Sequence, residues 1–415
     1  MPKNQPLTNQ QLPITNLLND DLQFLVSCCQ RVLSEENKVF ILSYINAEDL
    51  EINALSSLAN QHGILPLIYK TIKKIVDEDH SRSSLNTQHL APSTLLAELK
   101  TKYMVISQRN MLMSAELIRI MKLLRENSIE ALAFKGPVLG EMAYEDITLR
   151  QYSDLDILVS ETEVSKAGSV LEKHGYTPLF SISILENKTC LEVTNDLGFT
   201  NDKNGTLVEL HWKLFREKIG QHLHFSQISG NRQSVKINGK TIPTLSTEML
   251  LVYLCLHGSK HAWERVEWIF DIDKLICSNE NIDWDKVLSI AKEMDTNTSL
   301  SLGLRLSHIL FHTPLPVHIV LMTENDRIND LMMKTYTMLN STLSETEGYN
   351  KYNAIHMYQM DLLDTKLKKL KHLSATYFGI SRNDCQSCPL PPSLKFLYIF
   401  IKPLRVIGKY IQYGK

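Results

Sequence analysis

The 415-residue chain lacks an excess of either charge: 44 lysines and arginines stand against 46 aspartates and glutamates, a formal net charge of -2. No overall field is available to grip a long polyanion, so nucleic acid is not the expected partner. Cysteine is scarce, with seven in the whole chain. That count excludes a disulfide framework, and its being odd suits a reducing, cytoplasmic setting. Cys385 and Cys388 in "CQSC" have the spacing of half a zinc site, yet no second pair of Cys or His lies near them, so a loop with two thiols is the plainer reading. No apolar run reaches the ~20 residues that a membrane-spanning helix needs. The closest, "LKFLYIFIKPLRVIGKYIQYGK", is broken by Lys402 and Pro403. Its basic residues Lys395, Lys402, Arg405, Lys409 and Lys415 would let it rest peripherally on an anionic membrane, but packing onto the body of the protein is the plainer reading. The first residues, "MPKNQPLTNQQLPITNLLNDD", have no charged start followed by an apolar stretch and read as a polar tail. Internal repeats and long low-complexity tracts are lacking as well.

What is present is apolar content of 43%, enough to bury the cores of two or three domains at this length. The periodicity changes character twice. After a polar tail at 1–20, residues 21–128 repeat apolar positions at helical spacing, as in "INALSSLANQHGILPLIYKTIKKI". Between 129 and 245 come short β-prone runs: "ALAF", "LDILV", "GYTPLF", "TCLEV", "TLVELHWKLF" and a hairpin, "SVKINGKTIPTL", turning at Asn238-Gly239. One helix, "ETEVSKAGSVLEKHG", sits among them and ends at Gly175. From Ser246, an N-cap in "STEML", helical spacing returns, giving a helical domain over 246–345 and a helical extension over 346–415. The fold class is α+β, with a mixed sheet flanked by helical regions.

The informative stretch is "FKGPVLGEMAYEDITLRQYSDLDILVS", residues 134–160. Alternation along a strand turns Asp154 and Asp156 to one face while Leu155 and Ile157 enter the core. Two carboxylates side by side repel each other, and a divalent cation between them relieves the repulsion; magnesium favours such oxygen ligands together with substrate phosphates. A polar edge strand is the plain alternative. Upstream, "ALAF" leads through Lys135 and Gly136 into a helix start with Pro137 in its first turn, a place where backbone N–H groups meet phosphate. Downstream, "TLVELHWKLF" brings a third carboxylate, Glu209.

A glycine turn, two aspartates on one strand and a third carboxylate on another resemble the DNA polymerase beta-like nucleotidyltransferase superfamily. More closely, "AFKGPVLGEMAY", "LRQYSDLDILV", "VELHWKLF" and "LCLHGSKHAWERVEWIFDIDKLI" resemble the bacterial family usually labelled uncharacterised nucleotidyltransferase. By that resemblance Asp154, Asp156 and Glu209 would hold Mg2+ and a nucleotide triphosphate, ATP being the expected one, and Glu209 would help to activate the acceptor. Gly136 would allow close approach of phosphate, with Lys135 beside it. The superfamily commonly has serine after the glycine; Pro137 here offers neither hydroxyl nor N–H. Arg150 is a candidate for the missing phosphate contact, against a solvated loop arginine.

The implied reaction moves a nucleoside monophosphate to an acceptor hydroxyl on a small molecule, sugar, peptide or protein and releases pyrophosphate. A non-catalytic nucleotide-binding or interaction module that kept the fold is the alternative. In "HGSKHAWERVEW" a helix would gather His257, Lys260, His261 and Glu264 on one face, with Lys260 toward phosphate and both histidines at the nucleotide, or hydrogen bonding within the helical region. Trp263 and Trp268 read as core. The second D-x-D, Asp271 and Asp273, has helical spacing, so its members cannot share one ion; Asp271 would pair with Arg265 or a neighbouring strand, and Asp273 would be exposed. Neutralising either Asp154 or Asp156 is expected to leave stability unchanged or higher, because it removes repulsion.

Overall fold

The computed structural model describes residues 17–82, 90–215, 220–341, 348–388 and 390–402. Five helices come first: α1 (Asp20–Cys28), α2 (Glu35–Ile45), α3 (Ile52–Gln61), α4 (Leu65–Arg82) and α5 (Leu90–Glu126). Strands and short helices follow: β1 (Ala131–Phe134), α6 (Gly136–Tyr144), β2 (Asp154–Val159), α7 (Val164–Lys173), β3 (Tyr176–Pro178), α8 (Lys188–Val193), β4 (Asp196–Asn201), β5 (Leu207–His211), α9 (Phe225–Gly230), β6 (Gln233–Ile237) and β7 (Lys240–Thr244). Next come α10 (Thr247–Lys260), α11 (Val266–Cys277), α12 (Trp284–Glu293), α13 (Asn297–Phe311), α14 (Val317–Thr323) and α15 (Asp326–Asn340). The described chain ends with α16 (Gly348–Leu362), α17 (Lys366–Tyr377), α18 (Arg382–Ser387) and a helical turn at 398–402.

Local chemistry sets the element ends. Ser246 Oγ accepts the Met249 N–H at 3.2 Å and starts α10, as its position in the sequence predicts. Asn238 (φ 47°) and Gly239 (φ 74°) take the left-handed conformations of a tight turn between β6 and β7. "TCLEV" differs from expectation: it is helix α8, because the Asn187 side chain caps it by accepting the Cys190 N–H at 3.3 Å. The strand beside β5 is instead "DLGFTN", β4.

The sheet has the order β1-β2-β5-β4-β3, with β2 and β5 parallel and the other neighbours antiparallel. Its two faces serve different cores. Leu155, Ile157 and Val159 of β2 join Val208 and Leu210 of β5 in a core closed by α5 and α7. On the other face Leu132, Phe134 and Leu158 pack into one large core shared by α1–α4 and α10–α15. The amino-terminal helices and those after the sheet thus bury their apolar stripes against each other.

The loop before β2 is held from three sides. Asn110 Nδ2 on α5 donates to the carbonyls of Ile147 (2.7 Å) and Arg150 (2.8 Å), Arg109 donates to the Ser153 carbonyl at 3.2 Å, and Gln151 donates to Asn60 at 2.9 Å. With its backbone fixed on entry, β2 presents Asp154 and Asp156 in one register.

Helix α10 stops at Lys260, so His261 caps it and Glu264 lies beyond it, off the face expected to carry all four polar residues. The cause is Trp263. Ala262 and Trp263 turn left-handed (φ 52° and 55°), the Trp263 N–H donates to the Gly258 carbonyl at 2.9 Å, and the indole lies under Gly258. A Cβ at Gly258 would stand 2.2 Å from that ring, which is fully buried. Gly258→Ala is therefore expected to destabilise the fold by about 1–3 kcal/mol, as overpacking does, and to lower the melting temperature. An unchanged melt would show that the indole moves aside freely.

Residues 1–16 of the expected polar tail and 403–415, with Arg405, Lys409 and Lys415, lie outside the described residues. Among the described residues no helix is long and apolar enough to cross a membrane. Lys402 packs onto the body of the protein, the plainer of the two readings of its stretch: it is buried, and its ammonium donates to the carbonyls of Thr376 (2.7 Å) and Gly379 (2.6 Å) at the end of α17.

Candidate active site

The sheet register gathers the carboxylates. Asp156 on β2 is paired with Glu209 on β5 and with Phe134 at the end of β1, so the next residue after β1, Lys135, arrives beside Asp156. Lys135 has φ 56°, a left-handed conformation costly for a side-chain-bearing residue, and Gly136 follows at φ 43°. This turn aims the Lys135 ammonium inward, 3.0 Å from Asp156 Oδ1. A Cβ at Gly136 would approach the Asp154 carbonyl to 3.4 Å, so β2 and the turn lie in contact.

A residue that sequence reasoning missed completes the cluster. His211 lies two residues after Glu209 on β5, on the same face, with Nε2 3.1 Å from Asp156 Oδ1 and 3.3 Å from Glu209 Oε2. The alternation Glu-Leu-His in "VELHW" carried that signal. Among the described residues Asp156, Glu209 and His211 are the group whose ligand-type atoms converge closely enough to share an ion. Asp154 opens β2 just outside that group, half-buried. Cys385 and Cys388 join no such group; Cys385 is buried beside Cys190 and Ile184.

The charges are unevenly compensated. Burial alone would raise the Asp156 carboxyl, but Lys135 and His211 overcome it and hold Asp156 below the ordinary carboxylate range. Burial likewise opposes the cations, yet the hydrogen bonds His211 donates to Asp156 and Glu209 push it up to about 9, and the charge of Asp156 raises Lys135. Asp154 is compensated less: burial first, then the negative charge of Asp156, push it up to about 6 against the charges of Lys135 and Arg150. Asp156 Oδ2, also buried, has no hydrogen-bond partner. An under-compensated carboxylate beside an orphaned carboxylate oxygen is a donor set that suits a hard divalent cation.

Arg150, expected at a phosphate, is placed elsewhere. Its guanidinium is buried in a fork to Asp271, with Nε to Oδ1 and Nη2 to Oδ2 both 2.9 Å, and lies 3.6 Å from Glu267. Asp271, which also accepts from Tyr144 at 2.8 Å, has Arg150 rather than Arg265 as its partner. Asp273 is fully buried, not exposed, and accepts from Thr313 Oγ1 at 2.8 Å. The second aspartate pair is thus split between two structural contacts, as helical spacing requires.

His257 stacks on Tyr253, whose ring lies 5.8 Å from the Lys135 ammonium, while His257 and His261 face each other at 4.9 Å and both contact Trp268. Burial, then the charge of Lys135, hold His257 well below the ordinary imidazole range, so it is a neutral ring. Lys260 acts on the β4 side, where burial would raise Asp196 but His211, Arg382 and Lys260 hold it down.

The family described as uncharacterised nucleotidyltransferase matches residues 48–312, which include every residue of this cluster. The chain belongs to that family. It is accordingly a nucleotidyltransferase, with the α+β architecture the sequence implies. Two crystal structures are similar in part. One is the lincosamide antibiotic adenylyltransferase LnuA with lincomycin bound, at 15% identity and a TM-score of 0.29, covering 40% of this chain and 97% of that one. The other is an antigenic nucleotidyltransferase-like protein from Paracoccidioides brasiliensis, at 15% identity and a TM-score of 0.28, covering 48% of this chain and 96% of that one. No curated protein matches the chain.

The two aspartates now have opposite expected effects on stability. Asp154 has a folded value near 6, above its ordinary 3.8. Its contribution is therefore fully present below pH ~4 and is lost as pH rises through ~6. Asp154→Asn should stabilise the nucleotidyltransferase at pH 7 by about 1–2 kcal/mol after allowance for partial exposure, with the gain vanishing at low pH. Asp156→Asn reverses the earlier expectation: it strands Lys135 and His211 in a buried site and should cost about 3 kcal/mol. Denaturant titrations at pH 4 and 7 read both; equal shifts for the two variants would contradict this assignment.

Proposed function

We propose that this nucleotidyltransferase uses Mg2+ to transfer a nucleoside monophosphate from a nucleotide triphosphate, ATP in the first instance, to an acceptor hydroxyl, releasing pyrophosphate. The observation that carries the proposal is the register of β2 and β5, which sets Asp154, Asp156 and Glu209 on one face with a buried carboxylate oxygen left without a partner. Asp154, Asp156 and Glu209 would hold the cation, which when bound supplies charge stabilisation to the triphosphate and to the developing transition state. The other roles fall to the chain's own groups.

Helix α6 starts at Gly136 with no side chain capping it, so its first N–H groups are available to phosphate oxygens, and Pro137 costs nothing at a position whose N–H is free in any helix. Lys135, already at the site and held protonated, is the cation placed to meet phosphate charge. Glu209 is far more open than Asp156, at 33% side-chain exposure against 1%. An acceptor can therefore reach it. The acceptor oxygen attacks the α-phosphorus, its proton passes to the Glu209 carboxylate, and the bond to pyrophosphate breaks. His211 donates to Asp156 and Glu209 and fixes their orientation. Arg150 acts as a positioning residue, because its fork to Asp271 anchors the loop that enters β2. The acceptor is a small molecule, a sugar, a peptide or a protein side chain, and the half-buried rings of His257, His261 and Trp268 beyond Tyr253 form a wall for the nucleotide or the acceptor.

Pyrophosphate release measured with each of the four ribonucleotide triphosphates and magnesium, together with self-labelling, tests the reading. Glu209→Gln is expected to lower turnover by about a hundredfold or more while nucleotide affinity changes little. Asp154→Asn should abolish turnover while leaving a protein at least as stable as the parent. Full turnover in Asp154→Asn would sink the metal assignment, and a loss of affinity without loss of turnover in Glu209→Gln would move that residue from the acceptor to the nucleotide.

A further inference from the structure

The chain is nearly neutral as a whole but not along its length. Residues 366–415 hold ten lysines and arginines and one acidic residue, Asp384. That aspartate is buried and spent on its own helix start, where it accepts from the Ser381 N–H at 2.8 Å. The described part of this segment therefore shows solvent no carboxylate.

Helix α17 arranges its side chains in three sectors. At about 100° per residue, Leu367, Leu370, Tyr377 and Phe378 fall within an arc of about 100°. Each of the four is more than 60% exposed. Lys366 and Lys371 flank this arc on its two sides, and Lys369 stands farther round; none of the three has an ion pair among the described residues. The opposite sector faces the body: His372 is buried, and Lys368 is fixed by Asp295 at 2.7 Å and Asp364 at 2.9 Å.

The apolar surface does not end with the helix. Lys402, capping the last carbonyls of α17, draws the turn at 398–402 against it. That turn and the residues before it expose Phe396, Ile399 and Phe400, each more than half accessible. Soluble proteins rarely leave so many large apolar side chains together in water.

We propose that the α17 face and the adjoining Phe396–Phe400 turn dock on an anionic lipid bilayer, with the leucine and aromatic side chains entering the headgroup boundary and Lys366, Lys369 and Lys371 meeting lipid phosphates. Charge complementarity commits the face to this occupant: exposed aliphatic and aromatic residues bordered by unpaired lysines, with no exposed acid contributed by residues 366–402 and the neighbouring Asp364 and Glu192 each paired with a lysine, match an interface that is apolar below and negative above. A polynucleotide would use the lysines but leave Leu367, Leu370 and Ile399 without partners.

The test uses the full chain and vesicles of phosphatidylcholine, alone or with about one third phosphatidylglycerol. Flotation should recover the protein with the anionic vesicles and not with the neutral ones. Neutralising each lysine is expected to weaken binding about fivefold, so Lys366→Gln, Lys369→Gln and Lys371→Gln together should lose about a hundredfold. Leu370→Ser with Phe378→Ser should weaken binding at high salt as well as low. Four of the five positions are exposed and Lys369 is half-buried without an ion pair, so thermal melts of these variants should match the parent. Failure to float with anionic vesicles, equal flotation with neutral ones, or binding unaffected by either set of variants would each overturn the proposal. Retention of single-stranded RNA through the same lysines without vesicle binding would assign the face to nucleic acid instead.

Discussion

The site depends on one buried charge cluster, the Asp156 carboxylate shared by Lys135 and His211. Its three members come from the end of β1, the middle of β2 and the end of β5, so forming the cluster requires the central sheet to be in register. Each ion in isolation would be strongly disfavoured in an interior this dry, and mutual compensation is what makes the placement tolerable. The same cluster explains the backbone of Lys135, whose left-handed conformation runs against the preference of a side-chain-bearing residue and is held by the ion pair at its tip. Compensation is incomplete: Asp154 is only partly offset and one oxygen of Asp156 has no partner, and these are the groups that would face a cation.

Much of this was legible in the sequence, and for a physical reason. Strand alternation is a local rule, so the common face of Asp154 and Asp156, the inward Leu155 and Ile157, and the β5 position of Glu209 follow from neighbouring residues alone. Turn and cap chemistry is also local, which is why the Asn238-Gly239 hairpin, the Ser246 cap and the start of α6 at Gly136-Pro137 could be placed. His211 obeys the same alternation and was readable, but a histidine beside a tryptophan carries no charge pattern until its two carboxylate neighbours are known.

What was hidden is what depends on pairing across the chain. Arg150 and Asp271 are 121 residues apart in sequence and meet because α11 crosses the loop before β2, a contact no local pattern announces. Asp273 looked exposed because aspartate usually is; its burial is made affordable by Thr313. In α8 the residues Thr189, Cys190 and Val193 have strand character, and a single cap at Asn187 outweighed them. The helix after Tyr253 was expected to run on, and Trp263 ended it by folding under Gly258.

Charge segregation gives the carboxyl-terminal face a direction as well as an affinity. The near-zero total conceals a segment of ten basic and one acidic residue joined to a remainder with 34 basic and 45 acidic residues. An anionic surface attracts the first and repels the second, so the molecule meets it with one side only, and the long-range field orients the chain before any apolar contact forms. The described part of the segment is tied to the body. Arg382 holds Asp196 of β4 at 2.6 Å, Lys368 holds Asp295, and Gln359 donates to the Lys260 carbonyl at the end of α10. Asp196 in turn lies opposite His211 in the β4–β5 register. Orientation imposed on α17 is thereby imposed on the carboxylate face of the sheet, since two ion pairs and a hydrogen bond join the elements between them.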